Sequence, residues 1–344
     1  MSSKIDADPR IDPRIKAAFA AWPDPSPLPD AKDRESLLAE ATGETAKARA
    51  AAQKAVMDLA DTEELAPSAG LSIRTERFTY GPDETTINIQ FIRPDHGQRV
   101  PCVYYIHGGG MQFMSCFDGV YRAWGKVIAA QGVAVAMVDF RNCLTPSSAP
   151  QVAPYPAGLN DCLAGVKWVR DNAAQLAIDP ARIVIAGESG GGNLTLATAM
   201  RLKREGDVGL IKGVFAMCPY IAGRWPQDRY PSSTENNGIL MDLHNNRGAM
   251  AYGIEALEAG DPLAWPSLAS VEDVEGLPLT VISVNECDPL RDEGIAFYRL
   301  LLKAGVPARC RQVMGTVHGT EIFLLACPDI SRDTAAAIAH LARA

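Results

Sequence analysis

The sequence lacks any run of roughly 18 uncharged apolar residues, so no membrane-spanning helix is expected. Its opening, MSSKIDADPRIDPRIKAAF, has no apolar core of the kind a secretory signal needs, which points to a cytoplasmic protein. Basic charge is also in short supply. The chain has 33 Lys and Arg against 41 Asp and Glu, a net charge of −8 with no long basic run to offset it. That balance argues against nucleic acid or an anionic membrane as a partner. The eight cysteines form no CxxC pair and no Cys/His cluster, so reduced, mostly buried thiols are expected and a zinc site is not. No cofactor is implied, and internal repeats are absent. Histidine is scarce, with only five in the chain, which narrows the search for a catalytic base.

What is present reads as one large globular unit. Hydrophobic residues make up 47% and charged residues 22% of 344, enough to bury a sizeable core. WPDPSPLPD at 22–30 leads into an Ala/Glu/Lys-rich stretch, 31–60, that reads as helix. SIRTERFTYG and TTINIQFIRP then read as two strands joined by a turn. From residue 101, apolar strand runs (PCVYYIH, VAVAMVDF, RIVIAGE, GVFAMCP, LTVISVNE, ARCRQVM) alternate with helical patterns at 120–131, 157–176, 194–205, 293–304 and 331–344. This alternation predicts an α/β fold: a mostly parallel sheet with helices on both faces and the initial hairpin at one edge. About 60 residues rich in Trp, Pro, Asn and Met interrupt it before Leu279, too long for a plain connection. The expected organisation is therefore a core at 69–220 and 268–344, roofed by a helical cap built from 1–68 and an insertion at 221–267.

The glycine-rich turn VIAGESGGGN at 184–193 invites two readings. A phosphate loop needs Lys-Ser or Lys-Thr after its last glycine, but Asn193-Leu194 follows; a dinucleotide fingerprint fails because its third glycine falls on Thr195. As G-x-S-x-G between a strand and a helix, the same turn has the context of a nucleophile elbow with Ser189 as the nucleophile. Small neighbours let the serine occupy an unfavourable backbone conformation, and the helix behind it points N–H groups at developing negative charge.

A serine needs a base. His96 lies in a polar loop, His340 on the terminal helix, His244 in the insertion, and His107 directly before three glycines. His318, just past the last strand run, remains. The orienting acid is expected between the two in sequence, where VISVNECDPLRDEG offers Asp288, with Glu286 in reserve. The HGGG turn at 107–110 supplies backbone N–H groups for an oxyanion, with Gly108, Gly109 and Gly190 as the expected donors and His107 as a loop anchor. Met111, Phe113 and Met114 are candidates to line a substrate pocket, and Trp225, Tyr230 and Met241 are weaker ones from the cap.

Together, HGGG, GESGGGN, DPLRDEG and VHG resemble the hormone-sensitive-lipase-like (bacterial family IV) esterases of the α/β-hydrolase superfamily, in the family's order, over roughly residues 70–344. The resemblance implies a cofactor-independent carboxylic ester hydrolase. Ser189 would be the nucleophile, His318 the base and acid, and Asp288 rather than Glu286 the triad acid. The family's common elbow is GDSAGG; here Glu188 and Gly190 replace Asp and Ala. This text and VDFRN are similar to the brefeldin A esterase branch, which leaves lactones open beside short to medium acyl esters. The partner implied is a small-molecule ester, and the assembly a monomer or homodimer. An amidase or peptidase could use the same triad, and a receptor that has lost catalysis is the reading from another class.

Overall fold

Eight strands form one sheet: β1 (Leu71–Tyr80), β2 (Thr85–Pro94), β3 (Val100–Ile106), β4 (Ala134–Val138), β5 (Ile178–Glu188), β6 (Gly213–Met217), β7 (Leu279–Cys287) and β8 (Ala308–Val317). Their spatial order is β1-β2-β4-β3-β5-β6-β7-β8. The computed structural model describes residues 3–20, 22 and 24–344. β1 and β2 form the expected antiparallel pair, β2 joins β4 antiparallel, and every pairing from β4 to β8 is parallel.

The unbroken apolar strand runs are explained by burial on both faces. Along β3, Cys102, Tyr104 and Ile106 enter one core while Val103 and Tyr105 enter the other. Along β5, Ile183 and Ile185 alternate in the same way with Val184 and Ala186. A pleated strand sends successive side chains to opposite faces, so both must be covered. The helices Gly119–Ala129 and Pro328–Arg343 cover one face; Ala157–Asp171 and Gly190–Arg204 cover the other. Trp124 and Tyr104, both fully buried, each contribute about 1.5–3 kcal/mol or more through apolar burial.

Strand order reverses at β3, since β4 lies on one side of it and β5 on the other. Such a reversal opens a crevice at the carboxyl ends of the flanking strands. HGGG follows β3 and the elbow follows β5, so both loops face that crevice.

The N-terminal region contains helices Lys4–Ala7, Pro13–Phe19, Arg34–Ala41 and Glu44–Asp58. The helical stretch expected over 31–60 is thus two helices, broken at Gly43. Of the proline-rich 22–30 segment, Pro23 lies outside the described residues. The insertion holds only short helices, Ser232–Glu235, Arg247–Tyr252 and Ile254–Glu258. No described helix is long and apolar enough to cross a membrane.

Candidate active site

Each of the three triad candidates directly follows a strand: Ser189 follows β5, Asp288 follows β7 and His318 follows β8. The parallel sheet places all three at one edge. His318 Nε2 lies 2.9 Å from Ser189 Oγ, and His318 Nδ1 lies 2.8 Å from Asp288 Oδ2. Asp288 is fully buried, and its other oxygen accepts the Leu290 N–H at 2.9 Å. Glu286, the reserve acid, accepts the Gly315 N–H instead and does not face His318. Burial alone would lower the His318 pKa, but the Asp288 carboxylate outweighs it and holds the imidazole well above its ordinary value.

Ser189 has φ 57° and ψ −120°, a left-handed-side conformation that a non-glycine residue adopts only under constraint. Its N–H donates to the Met217 carbonyl at 3.0 Å, and its own carbonyl accepts the Tyr220 and Asn193 N–H groups. The side chain is thereby fixed at the mouth of a cavity of about 230 Å³. Gly190 shows why alanine is not used here. A Cβ would fall 2.7 Å from Gly110 N and 2.6 Å from Met111 N, so the HGGG loop occupies the space an alanine would need.

The structure corrects one expected donor. The Gly108 N–H is not free, because it donates to Glu188 Oε1 at 2.7 Å. Gly110, which the sequence reading passed over, has a free N–H. Among the described residues the N–H groups of Gly109, Gly110 and Gly190 have no protein acceptor. His107 is buried, stacks on Phe140 with centroids 4.3 Å apart, and contacts the Gly108 carbonyl at 3.0 Å, which fits the loop-anchor reading.

The pocket candidates divide. Phe113, Met114 and Met241 line the cavity beside Ser189 and His318. Met111 does not; it is buried in the main core. Trp225 stacks on Tyr220 and donates its Nε1 to Glu293, away from the cavity. Tyr230 is buried beneath the Arg229 guanidinium. The sequence reading missed Met57, Tyr220, Leu243, Ile322 and Phe323 as lining residues. Only the last two carried a signal, their closeness in sequence to His318. A second chamber of about 170 Å³, walled by Ile5, Phe19 and Trp22, shares Met57, Met241, Phe323 and His318 with the first.

Both helical segments are tied to this edge. Asn236 of the insertion donates to the backbone carbonyl of Asp288 at 3.1 Å and accepts from Arg10 of the N-terminal segment at 2.9 Å. Asn193, on the helix behind the nucleophile, donates to the carbonyls of Tyr220 and Ala264. Among the described residues, one group could hold a metal: Cys218, Asp288 and His318, whose ligand atoms lie within 4.8 Å of one another. Two of those residues already face each other through a hydrogen bond, and burial pushes the Cys218 thiol up to about 11.

Residues 103–322 match a family model described as the alpha/beta hydrolase fold. The chain is 32% identical to the carboxylesterase NlhH of Mycobacterium tuberculosis over 100% of its own length and 99% of that protein's. Among solved structures it resembles esterase Est22, at 64% identity and a TM-score of 0.96, with 99% of each chain covered. It also resembles brefeldin A esterase, described as a bacterial homologue of human hormone sensitive lipase. There the identity is 36% and the TM-score 0.86, over 99% of this chain and 97% of that one.

Proposed function

The chain belongs to the α/β-hydrolase family, among its hormone-sensitive-lipase-like esterases, and is a carboxylesterase; on that premise we propose that Ser189, His318 and Asp288 form its catalytic triad. The observation that carries this is the unbroken line from Ser189 Oγ through the imidazole to the buried Asp288 carboxylate. Neutral His318 takes the serine proton as Oγ attacks the ester carbonyl. Asp288 fixes the tautomer with Nε2 unprotonated and stabilises the imidazolium that forms. The carbonyl π pair moves onto oxygen, where the free N–H groups of Gly109, Gly110 and Gly190 receive it; each such donor contributes about 3–4 kcal/mol. The intermediate collapses as His318 returns its proton to the leaving alcohol, and water repeats the sequence on the acyl-Ser189 ester.

The two chambers, of about 230 and 170 Å³, suit dissolved esters with short to medium acyl groups, and a small lactone also falls within that volume. Residues 1–68 and 221–267 act as the cap, since Met57 and Met241 from these segments line the cavity. A cytoplasmic location belongs to the same proposal, consistent with eight unbridged cysteines, seven of them buried. Est22 has been solved with p-nitrophenol, which makes p-nitrophenyl esters natural probes. A phosphonate ester should label wild-type protein once, at Ser189, and leave Ser189→Ala unlabelled. Matched p-nitrophenyl ester and p-nitroanilide substrates then separate esterase from amidase, and faster anilide turnover would overturn the ester reading.

A further inference from the structure

Glu188 immediately precedes the nucleophile, is 2% exposed, and has no assigned role in the chemistry above. Its carboxylate gathers three neutral donors from two other elements. Oε1 accepts the Gly108 N–H and the Tyr121 hydroxyl, each at 2.7 Å, and Oε2 accepts the Tyr105 hydroxyl. Tyr105 lies on β3 and Tyr121 on the helix Gly119–Ala129. The fit at Gly108 is tight, since a Cβ there would stand 2.4 Å from Oε1.

A buried carboxylate with no cationic partner is costly unless several hydrogen bonds compensate it. Burial indeed pushes the Glu188 carboxyl up to about 7, against the opposing pull of the two tyrosines and the Gly108 N–H. The loop it holds is itself unusual. Gly109, Gly110 and Met111 have φ values of 89°, 61° and 60°, three consecutive residues in left-handed space. Such a run makes a tight turn, and it leaves the Gly109 and Gly110 N–H groups without a protein acceptor among the described residues. A curl this tight needs its first peptide fixed, and the Gly108 N–H is fixed by the residue bonded to Ser189. The donors and the nucleophile thereby become one rigid unit. The more distant end of the loop is held separately, by the Cys143 N–H donating to the Met111 carbonyl at 2.8 Å.

We propose that Glu188 is a positioning residue for the oxyanion loop, clamping Gly108 and Tyr121 so that the Gly109 and Gly110 N–H groups point at the oxygen of a carbonyl attacked by Ser189. This rests on the triad reading above. Loss of the clamp should weaken binding of the tetrahedral species while leaving ground-state binding nearly intact, because the donors it aligns act on the oxyanion, and the apolar lining from Phe113, Met241, Leu243 and Phe323 is untouched.

The test compares Glu188→Ala, Glu188→Gln and Tyr121→Phe with wild type, using a p-nitrophenyl ester and an alkyl trifluoromethyl ketone. With the ketone, Ser189 Oγ bonds to the carbonyl carbon, the π pair becomes the oxyanion, and His318 keeps the serine proton, so its Ki reports the donor geometry. For Glu188→Ala we expect kcat to fall about 10- to 100-fold, the scale of a misplaced catalytic group, with KM within about twofold and Ki rising in proportion to the loss in kcat/KM. Glu188→Gln, which keeps an oxygen for Gly108, should recover part of the loss, and Tyr121→Phe should lose less than either. Unchanged kcat and Ki in a folded Glu188→Ala variant, or a fall in kcat with Ki unmoved, would overturn the proposal. Should Glu188→Ala not fold, the Gln and Phe variants answer the same question. Ser189→Ala run alongside separates the two levels: if it keeps wild-type turnover, the triad reading fails rather than the clamp.

Discussion

Ser189, Asp288 and His318 each follow directly on a buried strand end, whereas the fifteen-residue helix Glu44–Asp58, which reaches the cavity through Met57, buries none of its residues. The two regions meet over the same cavity but are built differently. At the sheet edge, positions are set by parallel pairing, a register that cannot slip by one residue without exchanging the side chains of the two cores. The segments proposed as the cap are held by side chains at points: Arg10 on Asn236, Lys4 on the Asn237 carbonyl, and Glu293 on the N–H groups of Ile221 and Ala222. On the proposed reading, the sheet edge sets the positions of the reacting groups, while the segments proposed as the cap shape which ester enters.

Substitutions at the edge should abolish turnover, and substitutions in the proposed cap should redistribute it. Ser189→Ala should reduce ester hydrolysis by about 10⁵-fold or more, measured as kcat on a p-nitrophenyl ester. Asp288→Asn should cost about 10⁴-fold, because an amide stabilises the wrong imidazole tautomer. Gly190→Ala comes next. Its new Cβ meets main-chain atoms of Gly110 and Met111 rather than a movable side chain, so the oxyanion loop must shift and kcat should fall about 100-fold at near-constant KM.

The pH dependence sharpens the same contrast. Asp288 holds the His318 pKa above its ordinary value, so the imidazole is protonated, and unable to accept the serine proton, at higher pH than a free histidine would be. Activity is therefore present above that pKa and lost below it, by about tenfold per pH unit in kcat/KM. A profile flat from about pH 8 to about pH 4 would remove His318 from the mechanism.

Cap changes should act on a smaller scale. Met241→Ala should alter the ratio of kcat/KM between short and medium acyl esters by about 10-fold while the best substrate keeps its kcat; loss of kcat across the whole panel would erase the division drawn above. The smallest effect concerns stability. Burial raises the Glu293 carboxyl to about 8 even though Ile221, Ala222 and Trp225 all donate to it. The folded state thus holds this proton more tightly than the unfolded chain does. The stability it brings is complete below about pH 4.5 and is lost as pH rises through about 8. Glu293→Gln should lose roughly 1–3 kcal/mol from the unmatched Trp225 N–H but show a shallower decline of melting temperature from neutral to alkaline pH.

Much of the sheet was legible before the structure. Strand runs buried on both faces leave continuous apolar text, and each ended where the motif residues began. Ser189, His318 and Asp288 could be paired because a nucleophile requires a base and the chain has few histidines to offer. The cap resisted such reading. Its short helices carry weak periodicity, and Trp225 and Tyr230, which look like pocket residues in a loop, are buried beside Glu293 and Arg229 instead.

By itself the sequence determined the alternation of strands and helices and the family, and it pointed to the residues proposed to carry the chemistry, because these depend on local pattern and residue type. Tertiary structure alone decided that Gly108 gives its N–H to Glu188 and leaves Gly110 free. It alone placed Met57 and Phe323 over the serine and joined Arg10 to the Asp288 loop through Asn236. Those outcomes depend on where a hydrogen-bond donor points after segments distant in sequence have packed together, and the order of residues along a chain does not contain that direction.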